Sequence, residues 1–184
     1  MAKYDSFQHR RRSIRLRDWD YRSPGYYFVT ICTYQRQYLF NDPVFMDIAA
    51  NALQQVPKQK HAQHVTLDEW SVLPDHAHII WQFTTYPAGF DATKTQPSGE
   101  LRNALAGSLG VVVGQYKTNV TIPINHLRHT PGHKVWQRGY YEHIIRNERE
   151  LHTVRQYIHD NPTRWLEDRE NLDALISKMT YRGY

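Results

Sequence analysis

HAHIIWQF, residues 76–83, is the stretch on which the fold turns. Side chains on a strand alternate faces, so Ala77, Ile79, Trp81 and Phe83 form an unbroken apolar row while His76, His78, Ile80 and Gln82 point the other way. A strand with one wholly apolar side must lay that side on helices. Its other side carries two imidazoles with α-carbons about 7 Å apart, close enough for both rings to converge on one ion. Pro74-Asp75 is a turn signal, and His64–Leu73 reads as the strand that leads into it.

Working outward, residues 1–24 form a basic arm ending at Ser23-Pro24-Gly25, and YYFVTICTY, Tyr26–Tyr34, is rich in the β-branched and aromatic residues of a central strand. Asn41 or Asp42 before Pro43 starts a helix in which Phe45, Ile48, Ala49, Ala52, Leu53 and Val56 recur until Pro57. Residues 84–97 lack periodicity and read as a mobile loop. Ser98 is the expected cap of a second helix with Leu101, Leu105, Leu109, Val112 and Tyr116 on one face, weakened by Gly107, Gly110 and Gly114. Residues 119–135 look irregular. Tyr140–Arg146 is a fourth strand, and Asn147-x-x-Glu150 resembles a capping box that opens a helix over 148–161.

The order β-α-β-β-α-β followed by a helix defines an α+β protein. It is a ferredoxin-like (RRM-like) split βαβ antiparallel sheet, with helices on one face and a Tyr-bearing helix near the other, open face, which is left for a site. The expected organisation is an arm over 1–24, a catalytic domain over 25–165, and a tail over 166–184. In that tail Leu172, Leu175, Ile176 and Met179 suit a short terminal helix.

At 184 residues the chain is one domain with extensions and is too short for an eight-fold β/α barrel of about 250 residues. Its 23 basic and 18 acidic residues give a net charge of +5, which suits a polyanionic partner. Cys32 is the lone cysteine, which excludes an intramolecular disulfide and a Cys-based zinc site. Arg10, Arg11, Arg12, Arg15 and Arg17 occupy the start with no apolar core of a signal peptide, and no stretch approaches the roughly 18 apolar residues of a membrane span. A cytoplasmic, non-membrane protein is expected.

His-x-His alone is a weak signal in a chain with 11 histidines. The last helix strengthens it. Leu151, Val154 and Ile158 form a packing stripe, and Thr153, Tyr157 and Asn161 form an adjacent one at i, i+4 and i+8, stacking a phenol above an amide oxygen. Asn161 precedes Pro162, which disfavours the α conformation there and is expected to fray the helix where a side-chain oxygen can turn to a metal.

Four blocks, PGYYFVTICTYQRQYLF (24–40), VLPDHAHIIW (72–81), SLGVVVGQYK (108–117) and VWQRGYYEHIIRNERELHTVRQYIHDNP (135–162), resemble the single-tyrosine HUH transposases of small insertion sequences, and especially their REP-associated tyrosine transposase relatives. The resemblance places the HUH pair on His76 and His78, the nucleophile on Tyr157 and the third metal ligand on Asn161, a position that is Gln in some members. It implies cleavage and rejoining of single-stranded DNA through a 5′-phosphotyrosine, with Mg²⁺ or Mn²⁺, next to hairpin or palindromic repeats. A homodimer is compatible with it, since in dimeric relatives the Tyr helix can serve the partner's site.

The residue chemistry agrees. A tyrosine of reference pKa about 10 is roughly one part in a thousand phenolate at pH 7, so it needs a positive centre or a base. Two imidazoles and an amide oxygen suit a site that accepts Mn²⁺ or Mg²⁺; zinc would need Asp75 or His143 as well. Tyr140 and Tyr141 are weaker candidate nucleophiles, better read as core or base-stacking residues. Glu142-His143 is a candidate supporting pair, Lys117 and Arg138 are candidate phosphate contacts, and RRRSIRLR in the arm is a further one. Leu101, Val112 and Trp81 are expected core. The rival readings are a non-catalytic RRM-like nucleic-acid-binding module, and a metal phosphodiesterase that uses water and forms no adduct.

Overall fold

The computed structural model describes Leu16 and residues 19–94 and 105–181, with the backbone path alone for residues 164 and 166–181. Four strands, β1 (Gly25–Cys32), β2 (Val65–Leu73), β3 (His76–Phe83) and β4 (Tyr141–Ile145), alternate with helices α1 (Pro43–Gln55), α2 (Leu109–Leu127) and α3 (Glu148–Tyr181). The sheet order is β2-β3-β1-β4 and every neighbouring pair is antiparallel. This is the split βαβ arrangement expected from the pattern.

The alternation along β3 sorts the core. Ala77, Ile79, Trp81 and Phe83 join Tyr27, Val29 and Ile31 of β1 in one cluster with Leu53 of α1 and Val112 and Tyr116 of α2. The opposite face is not left open. Phe28, Ile80 and Ile145 meet Leu151, Val154 and Ile158 of α3 in a second, smaller core. The apolar stripe of α3 needed a surface to cover, and the row Phe28–Ile80–Ile145 supplied one.

Three boundaries depart from the sequence reading. The second helix starts after Ser108, not Ser98, because Gly107 stands at φ +74 and breaks the helical path. A Cβ there would lie 2.3 Å from Pro87, and the Gly107 carbonyl accepts a hydrogen bond from His64 Nε2 at 2.8 Å, so the glycine is a point of close chain approach. Residues 98–104, including Leu101, lie outside the described residues. The same helix continues through Pro123 to Leu127 where an irregular path was expected, since Val120 and Ile124 bury themselves in the main core.

The third departure concerns the site. Helix α3 does not fray at Asn161-Pro162 but runs on to Tyr181. Thr163 Oγ1 donates to the Asp160 carbonyl, and Trp165 packs edge-on against Tyr38 at 5.0 Å, so the turn beyond Pro162 is held from both sides. Nor is the loop after β3 loose over its described part. Arg22 donates to the carbonyls of Asp91 and Lys94 and lies 4.5 Å from the Phe90 ring. Tyr21 also enters the main core, so the packed domain begins within residues expected to be arm; residues 1–15 lie outside the described ones.

Candidate active site

His76 and His78 leave β3 on the α3 side and are 1% and 0% exposed. Each ring is fixed through its Nδ1, His76 by Asp75 Oδ1 at 2.7 Å and His78 by Thr30 Oγ1 at 2.8 Å. Thr30 is the β1 residue registered opposite His78, so strand pairing itself delivers the hydroxyl. Anchored at Nδ1, both rings turn Nε2 toward one point, and the two nitrogens stand 3.0 Å apart. Phe28 stacks on His78, with centroids 5.4 Å apart.

One proton arrangement satisfies this network as follows. Asp75 accepts from His76 Nδ1–H, and in the tautomer that leaves His76 Nε2 bare this nitrogen faces His78. His78 Nε2–H then donates to it, and the Thr30 hydroxyl donates to His78 Nδ1. Burial, with the positive Arg36 nearby, drives the His78 pKa well below the usual imidazole value, keeping it neutral. A proton shift within His78 from Nε2 to Nδ1, with Thr30 turning to accept it, frees both Nε2 atoms as ligands.

Asp75 joins three parts of the chain. It is wholly buried, takes an ion pair from Arg36 Nε at 2.9 Å, orients His76, and receives Trp165 Nε1 at 3.4 Å. Burial opposes its ionisation, but the His76 hydrogen bond and the Arg36 charge outweigh that and hold its carboxyl below the usual range. A carboxylate behind a histidine fixes the ring and raises its basicity as a ligand. Asp75 therefore supports His76 and is not placed to be a third ligand for zinc.

Helix α3 brings Tyr157 Oη to 3.2 Å from His78 Nε2, within the same chain, with Phe28 edge-on to the Tyr157 ring. One turn on, Asn161 is 1% exposed, and among the described residues neither its Oδ1 nor its Nδ2 has a hydrogen-bond partner. An orphaned buried amide costs about 1–3 kcal/mol and calls for an explanation. The amide oxygen is a hard donor of the kind a divalent cation accepts, on the helix face that already carries Tyr157. Among the described residues no three His, Cys, Asp or Glu side chains cluster as a metal site.

The other singled-out residues separate cleanly. The N-terminus of α3 is capped by Asn147 Oδ1 accepting from Glu150 N, but Glu150 answers to Arg146 N, one residue before the position a capping box requires. Its other oxygen meets His143 Nε2 at 2.7 Å, which ties β4 to the first turn of α3. Glu142, opposite Val29 in the register, lies on the α1–α2 side and does not support the site. Tyr140 packs against the main core, while Tyr141 opposes Thr30 on the site face. Lys117 donates to the carbonyls of Gln137 and Gly139, and burial lowers its pKa to about 8, so it ties the chain rather than meeting phosphate. Arg138 lines the groove of about 370 Å³ beside it. Val112 and Trp81 are core as expected.

Sequence reasoning missed Thr30, Arg36 and Trp165. Only Trp165 left a trace, eight residues after Tyr157 on the same helix.

Fold and site together define a ferredoxin-like domain with a buried His-x-His pair and a tyrosine-bearing helix laid across it. No family model matches the chain. An uncharacterised protein of Haemophilus influenzae is 32% identical over 185 residues, spanning 94% of this chain and 99% of that protein, and the chain belongs to the same family. Among solved structures, a REP-associated tyrosine transposase bound to a REP hairpin superposes with a TM-score of 0.54 at 20% identity, covering 82% of this chain and 73% of that one. The two share a fold. Among the described residues no helix is long and apolar enough to cross a membrane.

Proposed function

We propose that this protein is a transposase-type enzyme that cleaves and rejoins single-stranded DNA through a covalent tyrosine intermediate, next to hairpin-forming repeats. The observation that carries the reading is the approach of Tyr157 Oη to 3.2 Å from the buried histidine pair, with the unpartnered amide of Asn161 one turn beyond. The hairpin-bound relative with the same fold supports the choice of substrate.

In this reading Tyr157 Oη bonds to phosphorus as the P–O3′ bond breaks. The 5′-phosphate stays on the tyrosine, and the proton lost by the phenol balances the one gained by the 3′-hydroxyl, so rejoining is the same step reversed and no nucleotide cofactor is consumed. His76, His78 and Asn161 would hold Mg²⁺ or Mn²⁺, which when bound polarises the phosphodiester and offsets the charge that develops on it. Phe28 and the α3 stripe keep water from the histidine face, and Asp75 and Thr30 hold the imidazoles in place.

The test is incubation with Mn²⁺ and a hairpin-bearing single strand. A denaturation-resistant protein–DNA species that maps to Tyr157 supports the reading, and cleavage without any adduct supports the water-using phosphodiesterase instead.

Two further results are expected. Asn161→Ala should lower activity at limiting Mn²⁺ far more than at saturating Mn²⁺, while Asn161→Gln, which keeps an amide oxygen, retains part of it; an equal loss at every Mn²⁺ concentration would reject the ligand role. Deleting residues 1–17 removes five arginines and should flatten the salt dependence of DNA binding, by about 0.7 in log–log slope for each phosphate that the arm neutralises. An unchanged slope would show that the arm does not touch the strand.

A further inference from the structure

On the assumption that Tyr157 is the nucleophile, the geometry points to a second residue pair that aims it: Arg155 on α3 and Asp68 on the edge strand β2. Between Leu67, which opposes Trp81, and Trp70, which opposes Ile79, two residues of β2 face the single residue Ile80. This is a β-bulge, a device that redirects a side chain. Ile80 belongs to the core beneath α3, and Asp68 reaches the same helix. Its carboxylate takes both arms of the Arg155 fork, Nε at 2.7 Å and Nη2 at 2.5 Å, while the guanidinium carbon lies 6.0 Å from the Tyr26 ring centroid.

What the pair controls is the roll of the helix about its own axis. At about 100° per residue, Arg155 lies on one flank of the Leu151–Val154–Ile158 stripe, with Tyr157 and Asn161 on the other. The small apolar core sets how near α3 sits to the sheet, but rounded aliphatic side chains resist roll weakly. A bidentate fork resists it well, because both bonds break together. The hydroxyl of Tyr157 stands about 9 Å off the axis, so a roll of about 10° carries it about 1.5 Å. A misplacement of about 1 Å can cost about a hundredfold in rate. His143–Glu150 fixes the first turn of the helix and Trp165–Asp75 the turn past Pro162, and among the described residues Arg155–Asp68 is the charged tie of α3 to the sheet, outside the site itself, that lies nearest Tyr157 in sequence. Arg155 and Asp68 are thus positioning residues that act through the helix and touch no reacting atom.

The experiment compares wild type with Asp68→Ala, Arg155→Lys and the exchanged pair Asp68→Arg/Arg155→Asp. Single-turnover adduct formation is measured at saturating Mn²⁺ and DNA, beside the DNA and Mn²⁺ dissociation constants and amide exchange over residues 151–161. Asp68→Ala is expected to slow the adduct step about tenfold to a hundredfold with both dissociation constants within about twofold. Arg155→Lys, which keeps the charge without the fork, should fall between it and wild type, and the exchanged pair should recover most of the loss. An adduct rate unaltered in Asp68→Ala while the wild type is active overturns the inference, as does a rate loss matched by equal losses in DNA or metal binding. An exchanged pair no faster than Asp68→Ala, although as stable as wild type, also overturns it. Wild-type protein that forms no adduct refutes the nucleophile reading itself, an outcome seen before any variant is made.

Discussion

Tyr157→Phe is expected to bind hairpin-bearing single strands as tightly as wild type and to yield no cleavage product and no covalent species. The substitution removes one atom. The ring keeps its edge contact with Phe28 and its place beside His78, with centroids 6.2 Å and 5.2 Å away, so the second core and the path of α3 are preserved. What disappears is the oxygen 3.2 Å from His78 Nε2 that, in the proposed reaction, attacks phosphorus and then holds it. A water molecule cannot replace it without changing the product, because hydrolysis leaves a free 5′-phosphate and nothing to rejoin. Labelling the two DNA ends in turn reads the outcome. In wild type the fragment 3′ of the cut should stay on the protein through its 5′-phosphate, and the other fragment should carry a free 3′-hydroxyl. Product formation by the Phe variant at more than about one-hundredth of the wild-type rate would show that Tyr157 is not the nucleophile, and an adduct that maps to Tyr141, on the same sheet face, would relocate the reaction.

The sequence reveals the layers of this protein better than their closure. Strand alternation in HAHIIWQF separates the two faces because a period of two leaves no freedom about which residues share a side, and Asp42-Pro43 marks its helix start because capping is local: Asp42 accepts from Val44 N at 2.9 Å. The role of α3 is less legible. Its stripe of Leu151, Val154 and Ile158 announces that something is covered, but the partner surface of Phe28, Ile80 and Ile145 is drawn from three separate strands and forms only once the sheet is assembled. For the same reason a face that looks open in the sequence buries both histidines in the fold. Asn161-Pro162 reads as a helix end by a local rule that is overridden at a distance, by Trp165 reaching Tyr38 and Asp75.

The groups that hold the candidate ligands share this difficulty. Thr30 and Arg36 are unremarkable as residue types, and they become partners of His78 and Asp75 only through the β1–β3 register and the turn after β1. Asp75 stands in plain view beside His76, where it reads as a further ligand; its actual position behind the ring is settled by the direction of one side chain. Chemistry-bearing residues are therefore legible where spacing along one element fixes them. They are hidden where two or three elements must meet.

His78→Ala is expected both to abolish Mn²⁺ binding and to destabilise the fold. Had the histidine face been open, only the first effect would follow. In the structure the imidazole is 0% exposed, packs against both Phe28 and Tyr157, and bonds to Thr30 and His76. Its removal leaves a cavity and an unpaired buried hydroxyl, together worth about 2–4 kcal/mol. His76→Ala should act similarly, since it strips the buried Asp75 of a partner and leaves it to Arg36 and Trp165. Calorimetry with Mn²⁺, run well below the melting temperature of each variant as followed by circular dichroism, separates the two effects, and unchanged metal affinity in both variants would reject the pair as ligands. The metal-free protein carries a further signature of the same burial. The His78 pKa is depressed in the folded state and normal when unfolded, so above about pH 6.5 both states are neutral and pH has no hold on this group. Below that the unfolded chain takes a proton that the native site refuses, and the folded-to-unfolded ratio should fall by up to about tenfold per pH unit. His78→Ala removes this acid sensitivity while lowering the plateau, so its stability should be lower but flatter between about pH 6.5 and 5. A wild-type profile that shares the variant's slope would mean that His78 titrates freely and is not enclosed beneath α3.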